Sequence, residues 1–392
     1  MCLRPCMTYR LIYIRCPVSV SPPLPNPKMD SLSEFRDWAN LPPEIVELIS
    51  KKVKYIVDYI RFRAVCSTWR SVPCPKQHRL PPQLPWLMLP YDGSIYKNND
   101  EVHFFYDVWE SKMRKLYFLA DTCCASYRGW LLLVSYKGRD VSLLNPLTQS
   151  EIKLPAFGTW FDPYYISFGK SKMTFSADLT HPNCLITVFL EKYWVISCRI
   201  GDRSWKRYYP RKELVDATHY NGRLYLLYEG EMMIIESNKR EERRVLVPEL
   251  TMTIVLEPEL TAVKKRFVEG KSGVYVVGVH HEGKFVLYEF LEQQMMLRKI
   301  TTDTSDSTVI FYGDNYPCLA LSSDDWDTLD GGSLYLEHKC VPDELKLEAV
   351  EAGYNIYSAQ IVDGNVIFMS HKDQKPPYYQ AKPAMWFQPS FF

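Results

Sequence analysis

From about residue 100 to 372 the chain is a succession of short runs of Val, Ile, Leu, Tyr and Phe, each cut off by Gly, Asp, Asn or Pro. Runs of this kind between turn residues read as strands. Gly129-Trp-Leu-Leu-Leu-Val134 has the composition of a buried strand, and the turn dipeptide Asn221-Gly222 feeds a strand through Tyr228. Ser272–Val279, His280–Gly283 and Lys284–Phe290 outline a hairpin. Gly331–Leu336 and Asp363–Phe368 repeat the pattern of a glycine corner followed by a strand. The corner glycines at 129, 222, 273, 332 and 364 are too unevenly spaced for a kelch period of about 50 residues. Some 270 residues of short strands fit a ring of four-stranded blades better than a single sandwich, so the expected body is an all-β propeller. The 27 tyrosines and 10 tryptophans are read mainly as filling between blades.

Ahead of the strands lies a different pattern. From Leu41 to Ser71 the residues read as two or three short helices. Ile45, Leu48 and Ile49 form one apolar face, entered through Pro42 and Pro43, and proline is tolerated in a first helical turn. Glu44 near that start suits the helix dipole. Phe62, Val65, Cys66 and Trp69 recur at i, i+3, i+4 and i+7, which reads as one face of a second helix. A unit of about 40 residues or fewer rarely folds on its own buried surface. Such a unit needs another domain or another protein to cover it.

Leu41-Pro42, the Ile45/Leu48/Ile49 face and the closing Val65-Cys66-x-x-Trp69-Arg70 together resemble an F-box, the module that docks a substrate receptor onto the Skp-type adaptor of cullin–RING ubiquitin ligases. The resemblance implies an adaptor-facing or adaptor-supporting set of Leu41, Pro42, Ile45, Leu48, Ile49, Val65, Cys66 and Trp69. The bland alternative is an amphipathic helical hairpin packed on its own domain.

A second resemblance is independent of the first. It is carried by Ser126-Tyr-Arg-Gly-Trp-Leu131, Leu143-Leu-Asn-Pro-Leu-Thr148, Ile152-Lys-Leu-Pro155, Arg199-Ile-Gly-Asp-Arg-Ser-Trp205 and Asn221-Gly-Arg-Leu-Tyr225. Phe267–Gly270, Leu319–Asp324, Gly332–Tyr335 and the closing Met385-Trp-Phe-Gln-Pro-Ser390 continue it. In this order the pieces resemble the F-box-associated, kelch-like or KIB-type domain of a large plant family. Residues 231–260, with the charged run Lys239–Arg244, fit that pattern poorly.

Composition bounds the partners. The net charge is +1, which points to no polyanion over the whole chain, and neither a nucleic-acid nor a membrane partner is expected. No apolar run approaches the length of a membrane span. Eleven cysteines, with no Cys-x-x-Cys pair, read as reduced thiols of the nucleus or cytoplasm.

No reacting constellation emerges. Gly270-Lys271-Ser272 lacks the first glycine of a phosphate loop, since Lys265 stands there. A calcium loop starting at Asp325 would carry Asp330 where the turn glycine belongs and Leu336 in place of the closing glutamate. His280-His281-Glu282 falls between strands rather than on a helix. No catalytic residue, cofactor or metal ligand is therefore assigned.

The expected organisation is α+β and multidomain: a disordered leader (1–35), a helical F-box (36–75), a proline-rich connector (76–98), a large propeller-like domain (99–372) and a Pro/aromatic tail (373–392). The resemblances imply a non-catalytic subunit that meets the adaptor, and through it the cullin–RING ligase, at one end and an unknown target protein at the other. A propeller-type hydrolase and a ligand- or carbohydrate-binding propeller are the alternatives.

Overall fold

The structure is a computed structural model. It describes residues 38–71, 80–89, 102–107, 109–110, 112–119, 122–135, 140–158, 171–190, 194–208, 210, 212–236, 251–261, 263–269, 273–279, 285–300, 308–313, 318–326, 334–336, 344–345, 357–362, 365–370, 382–383 and 385–391. The leader, Gly270–Ser272, His280–Glu282, the 239–244 run and most of the loop after Asp325 lie outside the described residues. The chain divides into a helical unit ending at Gln83 and a strand-built unit beginning at Leu84.

In the helical unit a 3₁₀ turn (Trp38–Asn40) precedes α1 (Pro43–Lys52), α2 (Ile56–Ala64) and α3 (Ser67–Ser71). Pro43 opens α1, Glu44 occupies its first turn and Lys51 and Lys52 its last, all favourable to the dipole. Val65 closes α2 with a tight bond from its N–H to the carbonyl of Phe62 at 3.3 Å. The expected Phe62/Val65/Cys66/Trp69 face is therefore broken across two helices. Phe62 and Trp69 still meet, because the bend folds α3 back onto α2.

The strand-built unit is a propeller. Strands β1 (Trp86–Met88), β2 (Val102–Asp107) and β3 (Lys112–Tyr117) share a four-stranded antiparallel sheet with the last strand, β27 (Met385–Phe387), in the order β27-β1-β2-β3. Next comes a four-stranded meander of β4 (Thr122–Tyr127), β5 (Trp130–Val134), β6 (Val141–Asn145) and β7 (Ser150–Leu154). The following meanders are β8 (Ser171–Phe175), β9 (Leu185–Leu190), β10 (Trp194–Arg199) and β11 (Lys206–Tyr208), and then β12 (Asp216–Tyr220), β13 (Arg223–Leu227), β14 (Glu231–Glu236) and β15 (Thr251–Val255). A seven-stranded sheet begins as the meander β16 (Lys264–Glu269), β17 (Val274–Val279), β18 (Phe285–Leu291) and β19 (Met296–Ile300). It is extended by β20 (Thr308–Tyr312), β21 (Cys318–Ser322) and β22 (Leu334–Leu336), with β16–β21 and β20–β22 parallel. β23 (Glu344–Leu345), β24 (Tyr357–Val362), β25 (Asn365–Ser370) and β26 (Lys382–Pro383) make a further four-stranded sheet.

The two-residue side-chain period explains the stacking of these blades. Leu224 and Leu226 of β13 pack with Phe189 and Val195 of the preceding blade. Tyr225 and Leu227, on the opposite face, pack with Phe267, Val276 and Phe290 of the following one. Buried on both faces, β5 reads as a continuous apolar run and β9 as one interrupted only by Thr187. The hairpin turns use the expected residues: Asn221 and Gly222 both have positive φ (48° and 74°), as do Arg128 and Gly129 (47° and 83°). Three strands lie where the sequence pointed to irregular chain, among them the two-residue β26 in the tail. β1 falls in the proline-rich connector, as a three-residue run between Pro85 and Pro90, and β27 falls in the tail. Their pairing with each other makes β27 the inner strand of the first blade. That pairing joins the two ends of the propeller chain, which a local pattern cannot reveal.

Candidate docking surface

The core of the helical unit is Val46, Phe62 and Trp69, with Leu41, Ile49, Val53 and Cys66 packed against it. The Phe62 and Trp69 rings lie 4.7 Å apart at 45°. The Trp69 indole Nε1 donates to the carbonyl of Trp38 at 2.9 Å, so the 3₁₀ turn is fastened to α3. Trp69 is 7% exposed and belongs to the inside.

Val46 and Ile49 of α1, and Val53 just after its end, turn inward. One residue earlier in register, Ile45, Leu48 and Lys52 make a neighbouring stripe that stays outside, with Ile45 42% and Leu48 58% exposed. The apolar arc of α1 is thus wider than the small core can cover. Val65, in the bend after α2, is 49% exposed and Trp38 is 53% exposed. These four are among nine exposed large apolar side chains in the described residues, yet the helical unit supplies only residues 38–71 and a short connector. An apolar concentration of this kind marks an interaction surface.

The eight residues expected at an adaptor face therefore divide. Pro42, Ile45, Leu48 and Val65 are exposed; Leu41, Ile49 and Cys66 are half-buried supports; Trp69 is core. Sequence reasoning missed Trp38, whose position just ahead of the Leu41-Pro42 start was the available signal. Lys52, one of the basic residues that the sequence clusters between Leu41 and Arg79, shares the exposed stripe. Lys51 pairs with Glu47 at 2.8 Å, whereas Lys52 has no carboxylate partner among the described residues.

In the propeller the polar residues act as fasteners. Lys172 on β8 contacts both carboxylate oxygens of Asp216 on β12, at 2.7 and 2.8 Å. The same carboxylate accepts from the amides of Ala217 (2.8 Å) and of Phe267 on β16 (2.6 Å). One buried aspartate thus joins the lead strands of three successive blades. His219 meets Thr187 Oγ1 at 2.9 Å, and Thr187 meets Ser197 at 2.8 Å. A hydroxyl beside an imidazole has the makings of a nucleophile and base, but all three residues are buried, leaving no approach for a substrate. Burial lowers the His219 pKa to about 4 and raises those of Cys123, Cys124 and Cys198, so these groups stay neutral. No group of His, Cys, Asp and Glu that could hold a metal occurs among the described residues. No helix there is long and apolar enough to cross a membrane.

The sequence pieces that carried the second resemblance turn out to be stitches. Trp205 Nε1 donates to the carbonyl of Pro155 at 2.6 Å, tying consecutive blades. Asn145 Oδ1 accepts from the amides of Leu147 (3.0 Å) and Thr148 (3.2 Å), and its Nδ2 reaches the carbonyl of Ser390.

A short helical unit with an uncovered apolar face, and a ring of β-sheet blades closed by its own C-terminal strand, define a propeller protein with an N-terminal helical unit. Residues 105–358 match the family described as KIB1-4 beta-propeller, and the chain belongs to that family. Its relatives in Arabidopsis thaliana are F-box proteins. F-box protein SKIP23 is 24% identical over 363 residues, covering 76% of this chain and 83% of its own. F-box protein At4g00893 is 25% identical over 296 residues, covering 70% and 71%. Putative F-box protein At4g22660 is 32% identical over 125 residues, which span only 30% of this chain and 31% of that protein. Among solved structures, a quinonprotein alcohol dehydrogenase-like protein from Bacteroides thetaiotaomicron overlaps with a TM-score of 0.36 at 12% identity, covering 76% of this chain and 64% of its own. That overlap is too loose to bear on function.

Proposed function

We propose that this chain is the non-catalytic substrate receptor of a Skp–cullin–F-box ubiquitin ligase, acting in the nucleus or cytoplasm. The helical unit docks a Skp-type adaptor through Trp38, Ile45, Leu48 and Val65, and the propeller holds a target protein. The ligase partners supply the chemistry. This chain contributes proximity, raising the effective concentration of a target lysine near activated ubiquitin. The observation that supports this reading best is the uncovered Ile45/Leu48 stripe beside a completed Val46/Phe62/Trp69 core. A surface kept apolar while its neighbours are sealed has a partner as its simplest physical reason. The test is binding of the purified full chain to a Skp-type adaptor, with Leu48→Asp expected to abolish capture while the chain stays folded. A wild-type chain that binds no adaptor at micromolar concentration would sink the proposal.

A further inference from the structure

We infer that the outer edge of the first blade, β3, takes up an extended segment of a partner protein as an added strand, and that this segment carries a carboxylate between apolar residues. Strand β3 pairs with β2 on one side and is the last strand of its sheet among the described residues. Alternate N–H and C=O groups along its other side therefore point away from the sheet and form a template for a further strand. Side chains alternate along a strand, so Met113, Lys115 and Tyr117 share one face. The alternation continues past the end of β3, because Phe118 is buried and Leu119 is exposed again. Tyr117 is 47% and Leu119 71% exposed. Other outer strands differ. β7 shows exposed Glu151 and exposed Lys153 on one face and no exposed large apolar side chain, and β11 is only three residues long.

The two faces of β3 treat charge differently. On one face Arg114 is held by Asp107 at 2.6 Å and Glu110 at 3.1 Å, over the Trp86 ring, and Lys112 meets Glu110 at 3.3 Å. On the other face Lys115 lies over the Phe104 ring, its ammonium 5.9 Å from the centroid, and has no carboxylate partner among the described residues. The end of the strand is anchored. The Phe118 ring stacks on His103 at 3.8 Å, and the Phe118 carbonyl meets His103 Nε2 at 3.1 Å. Tyr117 and Leu119 are thus exposed on a fixed backbone.

Charge selects the occupant. β3 holds three basic residues and no acidic one, so a second copy of this chain laid along the same edge would set cation against cation. A segment with Asp or Glu opposite Lys115 supplies the missing carboxylate, and apolar residues two positions to either side of that acid fall opposite Met113 and Tyr117. In the receptor proposed above this edge is where the target is held, a consequence that rests on that role.

The test is selection from a random peptide library displayed on phage, with the full chain as bait. Recovered peptides are expected to carry Asp or Glu with an aliphatic or aromatic residue two positions to either side. Against Lys115→Glu, whose fold is checked by circular dichroism, the selection is expected to turn to Lys or Arg at the central position. A peptide recovered on the wild type is expected to bind that variant about tenfold or more weakly. N-methylation of the peptide one amide at a time is expected to weaken binding at every second position, the period of a ladder on one edge. An empty selection, binding that ignores Lys115→Glu, or N-methyl sensitivity without that period would each overturn the inference. A wild-type dimer in sedimentation that Tyr117→Asp dissociates would also overturn it, by giving the edge to a second copy. Selection needs no adaptor, so failure of the wild-type chain to bind adaptor would strike the receptor role alone, and an empty selection would strike this edge alone.

Discussion

The side-chain amide of Asn145 donates to the backbone carbonyl of Ser390 at 2.8 Å, joining residues 245 positions apart. On the neighbouring turn, a Cβ built at Gly129 would lie 2.5 Å from Cβ of Ser390 and 3.0 Å from its amide nitrogen. The C-terminal segment thus closes the ring by pairing β27 with β1 and is then held against the β4–β5 turn, where there is no room for a side chain.

This latch makes Asn145→Ala costly. Three hydrogen bonds vanish from a fully buried position, and on the order of 2–4 kcal/mol of propeller stability should go with them. Gly129→Ala should also destabilise, through both the clash and a φ of +83°. Urea unfolding of the full chain checks both. Wild-type midpoints in either variant would show that the C-terminal contact carries no load.

The core and the surface of the helical unit should respond differently. Trp69→Ala is expected to cost about 3–5 kcal/mol by emptying the site against Phe62 and Val46, and to weaken adaptor binding only through loss of the folded module. Leu48→Asp should leave circular dichroism and melting intact while removing capture. If Trp69→Ala melts like wild type but loses binding, the tryptophan touches the partner, and the assignment of core and face is reversed.

The proposed docking step should depend on salt through Lys52. An unpaired ammonium on the exposed stripe favours a partner with a carboxylate at that place, and such rim charges act mostly on the association rate. Lys52→Glu is expected to slow association by about threefold or more at low ionic strength, with the difference fading near 1 M salt as the Debye length shrinks to about 3 Å. Stopped-flow association at several salt concentrations would show this. Equal rates at low salt would remove Lys52 from the interface.

The buried ion pair predicts an order of effects. Asp216→Ala strands the Lys172 ammonium and the Phe267 amide together, at a cost of about 3–5 kcal/mol. Lys172→Met leaves Asp216 with two backbone donors, and should cost less. Comparative thermal melts decide it, and the reverse order would mean that the lysine is the member holding the blades.

Acid should loosen the propeller through its histidines. Burial holds both His103 and His219 down at about 4, against an ordinary value of 6.5. Their folded pKa is depressed, so their contribution is fully present above pH 6.5. It is lost as pH falls toward 4, because the unfolded chain takes up protons that the folded chain refuses. Each ring accounts for on the order of 3 kcal/mol at full development. Urea midpoints should fall across that window and fall less in His219→Gln. Parallel curves for variant and wild type between pH 6.5 and 4 would refute the assignment to His219.

Much of this molecule was written locally. Proline and acid placed the start of α1; Asn221-Gly222 and Gly129 placed hairpin turns; the two-residue period made the blades; and the apolar residues of 41–71 exceeded what so small a unit can bury. These features depend on neighbours within a few positions, so the sequence by itself determined them. Tertiary structure decided which apolar residues are hidden. Trp69 went inside and Leu48 stayed out, although both read as members of a helical face, because the bend at Val65 returns α3 to the core. It also decided that β1 and β27 are strands, that Gln83 caps a helix 27 residues upstream, and that Asp216 binds three blades at once. Each of those outcomes depends on a partner far along the chain, whose approach is set by the packing of the whole domain and leaves no local mark.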